Sequence, residues 1–135
     1  MNLMPFINQL EAKGVGKKGK TLFINMLPID ISEGVLLRNS LTGTDIDYEL
    51  PGYFRTEFQV IVRAGSYEAG EKLINKVTDS LTLTNEQLDG LFFNYVRPRT
   101  EPVTYPLSEG NLLEFSTYFS LSFYKVVNSA KKELS

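Results

Sequence analysis

The stretch Leu112-Leu-Glu-Phe-Ser-Thr-Tyr-Phe-Ser-Leu-Ser-Phe-Tyr-Lys125 alternates apolar and polar side chains along its length. One parity is mostly apolar and consists of Leu113, Phe115, Thr117, Phe119, Leu121 and Phe123. The other parity carries glutamate, serine and tyrosine. Alternation at a period of two is typical of a strand with one buried face and one solvated face. The stretch therefore predicts one long strand of an antiparallel sheet.

The length of this strand leaves two interpretations open. If straight, it extends about 40 Å at roughly 3.3 Å per residue, which is comparable to the width of a domain of this size. In the first interpretation the strand overhangs its own core and offers its backbone edge, with Tyr118 and Tyr124, to a partner protein. In the second, it bends and twists across the sheet inside one subunit.

Similar patterns predict the remaining elements of the fold. Helices are predicted over residues 3–13 and 67–81, the second capped by Ser66, and strands over 21–27, 34–39, 54–63 and 91–96. Residues 40–44 are predicted to form a turn or exposed loop, and 97–106 a proline-rich connection. The predicted fold class is α+β, with a mostly antiparallel sheet of about four to five strands and two flanking helices. We expect residues 1–135 to form one domain, with 126–135 as a flexible or helical tail.

Composition limits the chemistry available to the chain. The 135 residues include neither histidine nor cysteine, which excludes Ser-His-Asp and Cys-His mechanisms, thiol redox chemistry and zinc sites that need imidazole or thiolate. The net charge of -2 argues against a broad basic field for phosphate backbones. We see no signal peptide and no apolar run of about 20 residues. The expectation is a soluble protein without cofactor, metal or membrane contact.

A glycine-rich loop matches a nucleotide-binding pattern. Gly14-Val-Gly-Lys-Lys-Gly-Lys-Thr21 fits G-x-x-x-x-G-K-T, in which a helix N-terminus that follows the loop holds the phosphates. Here the predicted helix precedes the loop and a predicted strand follows it. A nucleotide-binding enzyme that uses this loop is therefore a distant alternative. The favoured interpretation is a mobile, lysine-bearing connection. An intermediate interpretation is a contact loop whose Lys17 and Lys18 touch an acidic partner.

Three acids lie at a period of two in Asp45-Ile-Asp-Tyr-Glu49. In an extended segment they project to one side, as a divalent-ion site or an acid–base pair requires. The spacing is not that of a calcium loop, and neighbouring acids on a hairpin are usually solvated. A solvated acidic surface is therefore the favoured interpretation of Asp45, Asp47 and Glu49.

Arg97 and Arg99 flank Pro98 at the start of the proline-rich stretch. The stretch is either a stiff connection, with arginines that are solvated or paired to Glu101 or Glu109, or a preorganised arm for subunit contacts. Proline lowers the entropy cost of ordering, and arginine and tyrosine are enriched at interfaces. Further candidate contacts of this kind are Tyr105, Tyr118 and Tyr124.

The chain as a whole resembles a known family. The segments that carry the resemblance are Leu50-Pro-Gly-Tyr-Phe-Arg-Thr-Glu-Phe-Gln-Val-Ile-Val-Arg63, Ser66-Tyr-Glu-Ala-Gly-Glu-Lys-Leu73, Tyr95-Val-Arg-Pro-Arg-Thr-Glu-Pro102 and Glu109-Gly-Asn-Leu-Leu-Glu-Phe-Ser-Thr-Tyr-Phe119. Together they resemble the minor capsid or tail-terminator proteins of long-tailed bacteriophages, over about residues 20 to 125. No single motif among them is chemically diagnostic, so the resemblance rests on their combination.

The resemblance implies a structural virion protein and no enzyme. Such a subunit forms a hexameric ring on the head-proximal end of the tail tube, stops tube polymerisation and offers a surface to neck and head-completion proteins. It implies assembly in the bacterial cytoplasm, a final position at the tail–neck junction, and DNA that passes through the lumen without specific binding. On this view Asp45, Asp47 and Glu49 are candidates to face the lumen and repel DNA. The alternative is another neck component, a head-completion or stopper protein.

Overall fold

The computed structural model describes residues 1–107 and 111–126. Within these residues it contains two helices and eight strands. In chain order they are α1 Met4–Ala12, β1 Leu22–Ile24, β2 Gly34–Asn39, β3 Asp45–Ile46, β4 Tyr53–Ala64, α2 Tyr67–Leu81, β5 Leu83–Leu88, β6 Leu91–Pro98, β7 Val103–Pro106 and β8 Leu113–Lys125. The tail predicted from residue 126 onward lies outside the described residues, except for Val126 itself.

The long strand β8 is confirmed, and it lies in the middle of the sheet. Along one edge it pairs with β4, from Leu113 opposite Ala64 to Tyr124 opposite Tyr53. Along the other edge it pairs with β7 and then with β6. Between those two pairings, the carbonyl of Tyr118 accepts from the backbone N–H of Arg99 at 2.7 Å. Both edges are therefore occupied within the chain, and the overhang interpretation is wrong.

The sheet runs in the order β1-β2-β4-β8-β6-β5, and β3 and β7 add to β4 and β8. Every pairing in it is antiparallel except that of β1 with β2. The predicted class, a mostly antiparallel sheet with two helices, is confirmed. The predicted number of four to five strands is wrong, because the described residues form eight.

The strands missed by the sequence patterns are short and exposed. In β5 the four residues after Leu83 are exposed, and both residues of β3 and all four of β7 are exposed. Without a buried face there is no apolar alternation to detect. A turn signal was available for β5, since Asp89-Gly90 joins it to β6 with positive φ at both residues, as tight hairpins require.

The predicted helices and strands otherwise shift only at their ends. The first helix spans Met4–Ala12 rather than 3–13, and the second is the predicted 67–81. Ser66 caps it as expected, with its hydroxyl accepting from the N–H of Ala69 at 3.2 Å. The strand predicted over 21–27 shortens to Leu22–Ile24, and that predicted over 91–96 extends to Pro98.

The core lies between the two helices and one face of the sheet. Phe6 of α1 stacks on Phe58 of β4 at 4.9 Å, and Phe58 stacks on Phe119 of β8 at 5.2 Å between ring centroids. From α2, Ile74 and Val77 join the same cluster. Both helices of the described residues cover this face, so neither of them lies on the opposite face. None of the helices in the described residues is long and apolar enough to span a bilayer.

Candidate assembly surface on the open face of the sheet

The helix-free side of the sheet is formed by the polar parity of its strands. We call this surface the open face, and it comprises Arg38 of β2, Arg55, Glu57 and Gln59 of β4, Tyr95 and Arg97 of β6, Arg99 just after β6, Val103 and Tyr105 of β7, and Ser116, Tyr118 and Ser120 of β8. The strand register aligns these residues in rows across the sheet, so residues distant in sequence become neighbours.

Hydrogen bonds tie one such row together. The Nη2 of Arg38 donates to Oε1 of Gln59 at 2.6 Å, and Nε2 of Gln59 donates to Oγ of Ser116 at 2.8 Å. The row joins β2, β4 and β8 through side chains as well as through the backbone. It also holds the Arg38 guanidinium in a fixed position on the open face.

Arginine and tyrosine side chains lie against one another on the same face. The Arg97 guanidinium lies 4.0 Å from the centre of the Tyr95 ring, and that of Arg99 lies 5.3 Å from the centre of the Tyr118 ring. Arg99 also forms an ion pair with Glu57 at 3.1 Å. The sequence interpretation that paired the arginines with Glu101 is therefore wrong for Arg99. Glu109, the other predicted partner, lies outside the described residues. Surfaces rich in arginine and tyrosine are typical of protein interfaces.

The three candidate tyrosines occupy different environments. Tyr118 and Tyr105 are partly exposed on the open face. Partial burial, together with the nearby Glu114 carboxylate, raises the pKa of Tyr105 above its usual value. Tyr124 is half-buried, stacked on Tyr53 at 6.0 Å and on Phe92 at 5.0 Å. Tyr105 and Tyr118 are thus available on the open face, whereas Tyr124 mainly packs within the chain.

One corner of the helix-free side is covered by the loop between β1 and β2. Arg63 pairs with Glu114 at 3.1 Å, and its Nη1 donates to the carbonyls of Pro28 and Ile31 at 2.9 and 3.1 Å. Both charged side chains are nearly buried, with 11% and 12% of their surface exposed. The Arg63–Glu114 pair therefore fixes this loop over the sheet.

Replacing Arg63 with methionine is expected to lower the free energy of unfolding by about 2–4 kcal/mol, because it leaves Glu114 buried without its partner. Urea denaturation would measure the loss, and amide exchange would show faster opening at residues 28–31. The control is Arg99→Met, which removes an ion pair that is largely exposed and is expected to cost less than about 1 kcal/mol. Equal losses of unfolding free energy for the two variants would contradict the conclusion that the Arg63–Glu114 pair fixes the loop over the sheet.

The three acids lie on a hairpin rather than along one extended strand. Asp45 pairs with Arg55 and Ile46 with Phe54 in the register of β3 and β4. Asp47 then turns inward, and its Oδ1 accepts from the N–H groups of Glu49 and Leu50 at 2.9 and 3.1 Å. The expected row of three acids on one side is wrong, because Asp47 caps the turn. The described residues contain no cluster of acids that could hold a metal ion.

Large apolar side chains are exposed beside these acids. We call residues 41–52 the acidic arm. Leu41 and Tyr48 are 102% and 88% exposed, and Ile46 and Leu50 are each more than half exposed. Exposed apolar side chains gathered in one segment mark a contact site more often than a free surface.

The glycine-rich loop does not form a phosphate site. Helix α1 precedes it and the short strand β1 follows it, as the sequence predicted. The N–H groups of Lys20 and Thr21 donate to the carbonyl of Lys17, and that of Gly19 donates to Leu22. The N–H of Lys17 donates to Oγ1 of Thr21, and that of Lys18 to the Glu11 carboxylate. Most of the backbone donors that would cradle a phosphate are thus already used.

The two candidate lysines of this loop are exposed. The Nζ of Lys18 donates to Oδ1 of Asn8 on α1 at 2.6 Å, which holds its charge close to the helix. Both lysines lie on the helix side of the molecule and not on the open face. A partner contact through Lys17 and Lys18 stays a prediction.

Sequence reasoning found part of the open face and missed the rest. Arg97, Arg99, Tyr105 and Tyr118 were singled out from local chemistry. The structure adds Arg38, Arg55 and Tyr95, which come from three different strands. Their polar parity within strongly patterned strands was a usable signal, since it predicts side chains that point away from the core.

Comparisons with known proteins agree with this architecture. The family model described as "Bacteriophage tail terminator protein" matches residues 9–125. A solved chain from "Virion of native gene transfer agent (GTA) particle" superposes with a TM-score of 0.63 and 13% identity, over 88% of this chain and 91% of that one. A second solved chain covers 93% of this chain and 99% of its own length, with 18% identity and a TM-score of 0.45.

No curated protein sequence matches the chain. The gene transfer agent likeness, at its low identity, concerns the fold alone. The family match is different in kind, because it extends through most of the sequence, from α1 to the end of β8. The chain therefore belongs to the bacteriophage tail terminator protein family, and it is a structural protein of the phage tail rather than an enzyme.

Proposed function

We propose that the protein forms a closed, hexameric ring on the head-proximal end of the tail tube, at the tail–neck junction. There it stops the addition of tube subunits and offers a surface to the neck and head-completion proteins. The observation that carries the proposal is the family match over residues 9–125. DNA passes through the ring without specific binding, in keeping with the net charge of -2.

The two ends of the sheet support different neighbours for the two sides of the ring. The acidic arm precedes β4 at one end, and the loop between β1 and β2 lies at the other, because Gly34 pairs with Arg63 at the far end of β4. That loop exposes Met26 and Ile29 by 77% and 92%. The two ends of the sheet therefore differ, and the loop between β1 and β2 offers an apolar surface to the tube or to the neck. A ring with two unlike sides can match the tube on one side and refuse a further tube subunit on the other.

Deletion of the coding sequence from the encoding genome tests termination directly. Electron micrographs are expected to show tails of uncontrolled length, because nothing then stops tube polymerisation. Supplying the wild-type chain in trans should restore a uniform length. Tails of normal length that fail to join heads would contradict termination and favour the alternative, a head-completion or stopper protein.

The variant Lys20→Ala tests whether tail termination depends on nucleotide binding by the glycine-rich loop. Lys20→Ala removes the lysine that a phosphate-binding loop requires, and Lys20 is exposed in the structure. We expect this variant to restore tail length as well as the wild type does. Loss of length control in a variant that folds normally would contradict the assignment of the loop as a mere connection.

A further inference from the structure

We propose that the acidic arm of one copy docks on the open face of the next copy in the ring. The inference rests on the ring of the proposed function and assigns the two surfaces that meet in it. The partner is thus a second copy of this chain, and the contact is head-to-tail.

The acidic arm has the composition of a docking segment. Asp45, Asp47 and Glu49 place negative charge among the exposed side chains of Leu41, Tyr48 and Leu50, and no residue of the arm is basic. The start of the arm lies against its own sheet, because Asp45 pairs with Arg55 and lines the same groove. The tip does not share this contact: Tyr48 and Leu50 are 88% and 55% exposed, and they are available to another molecule.

The open face has the opposite charge. In the part of the chain that the structure describes, it carries four arginines against two nearby carboxylates: Glu57, which is paired with Arg99, and Asp45, which lies opposite Arg55 in the strand register. Among the described residues, no carboxylate pairs with Arg38, Arg55 or Arg97. An acidic segment would thus find unpaired guanidinium groups there, and complementary charge favours one partner and one orientation.

Shape adds to the complementarity of charge. A groove of about 420 Å³ lies where the base of the acidic arm meets the open face. Thr42, Gly43 and Asp45 of the arm line it on one side, and open-face residues that include Arg55, Tyr95 and Ser120 line it on the other. The Tyr48 side chain at the tip of the arm is the largest exposed group available to enter such a groove. Aromatic side chains seated in a pocket beside arginine commonly dominate the binding energy of an interface.

A head-to-tail contact also explains how the copies close into a ring. When two different surfaces of one chain meet, each copy uses one surface for the copy before it and the other for the copy after it. Repetition of that contact generates a ring if the rotation closes. A contact of the open face with another open face would instead stop at a dimer.

Cross-linking tests the contact in assembled particles. The chain has no cysteine, so a double variant with Pro51→Cys on the arm and Ser120→Cys in the groove carries only two reactive thiols and keeps Tyr48 and Tyr118. A short bismaleimide reagent is expected to join neighbouring copies into a ladder of covalent multimers on a denaturing gel. The highest rung reports the number of copies in the ring.

The control variant moves the second cysteine to the other side of the molecule. Pro51→Cys with Lys72→Cys places it on the exposed surface of α2, and we expect no ladder from it. Particles that contain the Pro51→Cys/Ser120→Cys chain but yield no multimers, or dimers only, would overturn the docking contact. If deletion still produced overlong tails, the proposed function would stand while the interface assignment fell.

Charge reversal tests whether opposite charges hold the acidic arm on the open face. Adding Glu49→Lys to the cross-linking variant is expected to reduce the multimers at least tenfold, whereas Asp79→Lys, the same change in charge on α2, should leave them unchanged. An unchanged ladder with Glu49→Lys would overturn the proposal. If DNA delivery then fell instead, the prediction that Asp45, Asp47 and Glu49 face the lumen would gain support.

Discussion

Replacing Phe58 with alanine is expected to lower the free energy of unfolding by about 4 kcal/mol, within the range found for buried aromatic truncations. Phe58 is fully buried, and its ring lies between those of Phe6 and Phe119 in a stack that joins α1, β4 and β8. Removing the ring leaves a cavity at the centre of the molecule. The neighbouring rings are held by their own elements and cannot collapse into it.

Urea denaturation monitored by circular dichroism would measure this loss. The matched control is Phe92→Ala, the same change at a half-buried ring on the helix-free side, which is expected to cost about 1–2 kcal/mol because little cavity forms. A loss at Phe58 no greater than that at Phe92 would show that the aromatic stack does not hold the helices to the sheet.

Replacing Gly70 with alanine is expected to destabilise the protein by at least about 2 kcal/mol, as overpacking of a core does. An alanine Cβ at this position would overlap Cε1 of Phe115, far inside contact distance. The Phe115 ring is itself buried and cannot move aside freely. The expected change in stability is opposite to the usual effect of this substitution, because alanine normally stabilises a helix interior over glycine by about 1 kcal/mol.

Two further variants test the cause of the Gly70 effect. Gly65→Ala introduces the same methyl group where no atom lies within 4 Å, and it is expected to change stability by less than about 1 kcal/mol. Adding Phe115→Leu to Gly70→Ala should recover part of the loss, because a smaller side chain makes room for the methyl group. Stabilisation by Gly70→Ala alone would contradict the close approach of α2 to β8.

The sequence patterns predicted the elements that have a buried face. The period of two in β4 and β8 and the apolar stripe of α2 follow directly from burial on one side, so their positions were readable. The short exposed strands β3, β5 and β7 have no such face. Their pairing depends on a neighbouring strand that already exists, which no local pattern reports.

Only part of the candidate assembly surface could be predicted from the sequence. Arg97, Arg99 and Tyr118 stand out by residue type, and the acids from Asp45 to Glu49 by their spacing. Neither the cation–π contacts of these arginines nor the capping role of Asp47 follows from residue type, because both depend on the direction in which each side chain points.

From the order of its residues alone, this chain already specified a one-sided antiparallel sheet, a capped second helix, the absence of imidazole and thiol chemistry, and a resemblance to a phage structural family. Only the tertiary structure decided that β8 lies at the centre of the sheet with both edges occupied. It also decided that arginines from β2, β4 and β6 share one face. The reason is physical: periodicity is a local consequence of burial, whereas strand order and register depend on contacts between segments far apart in the chain.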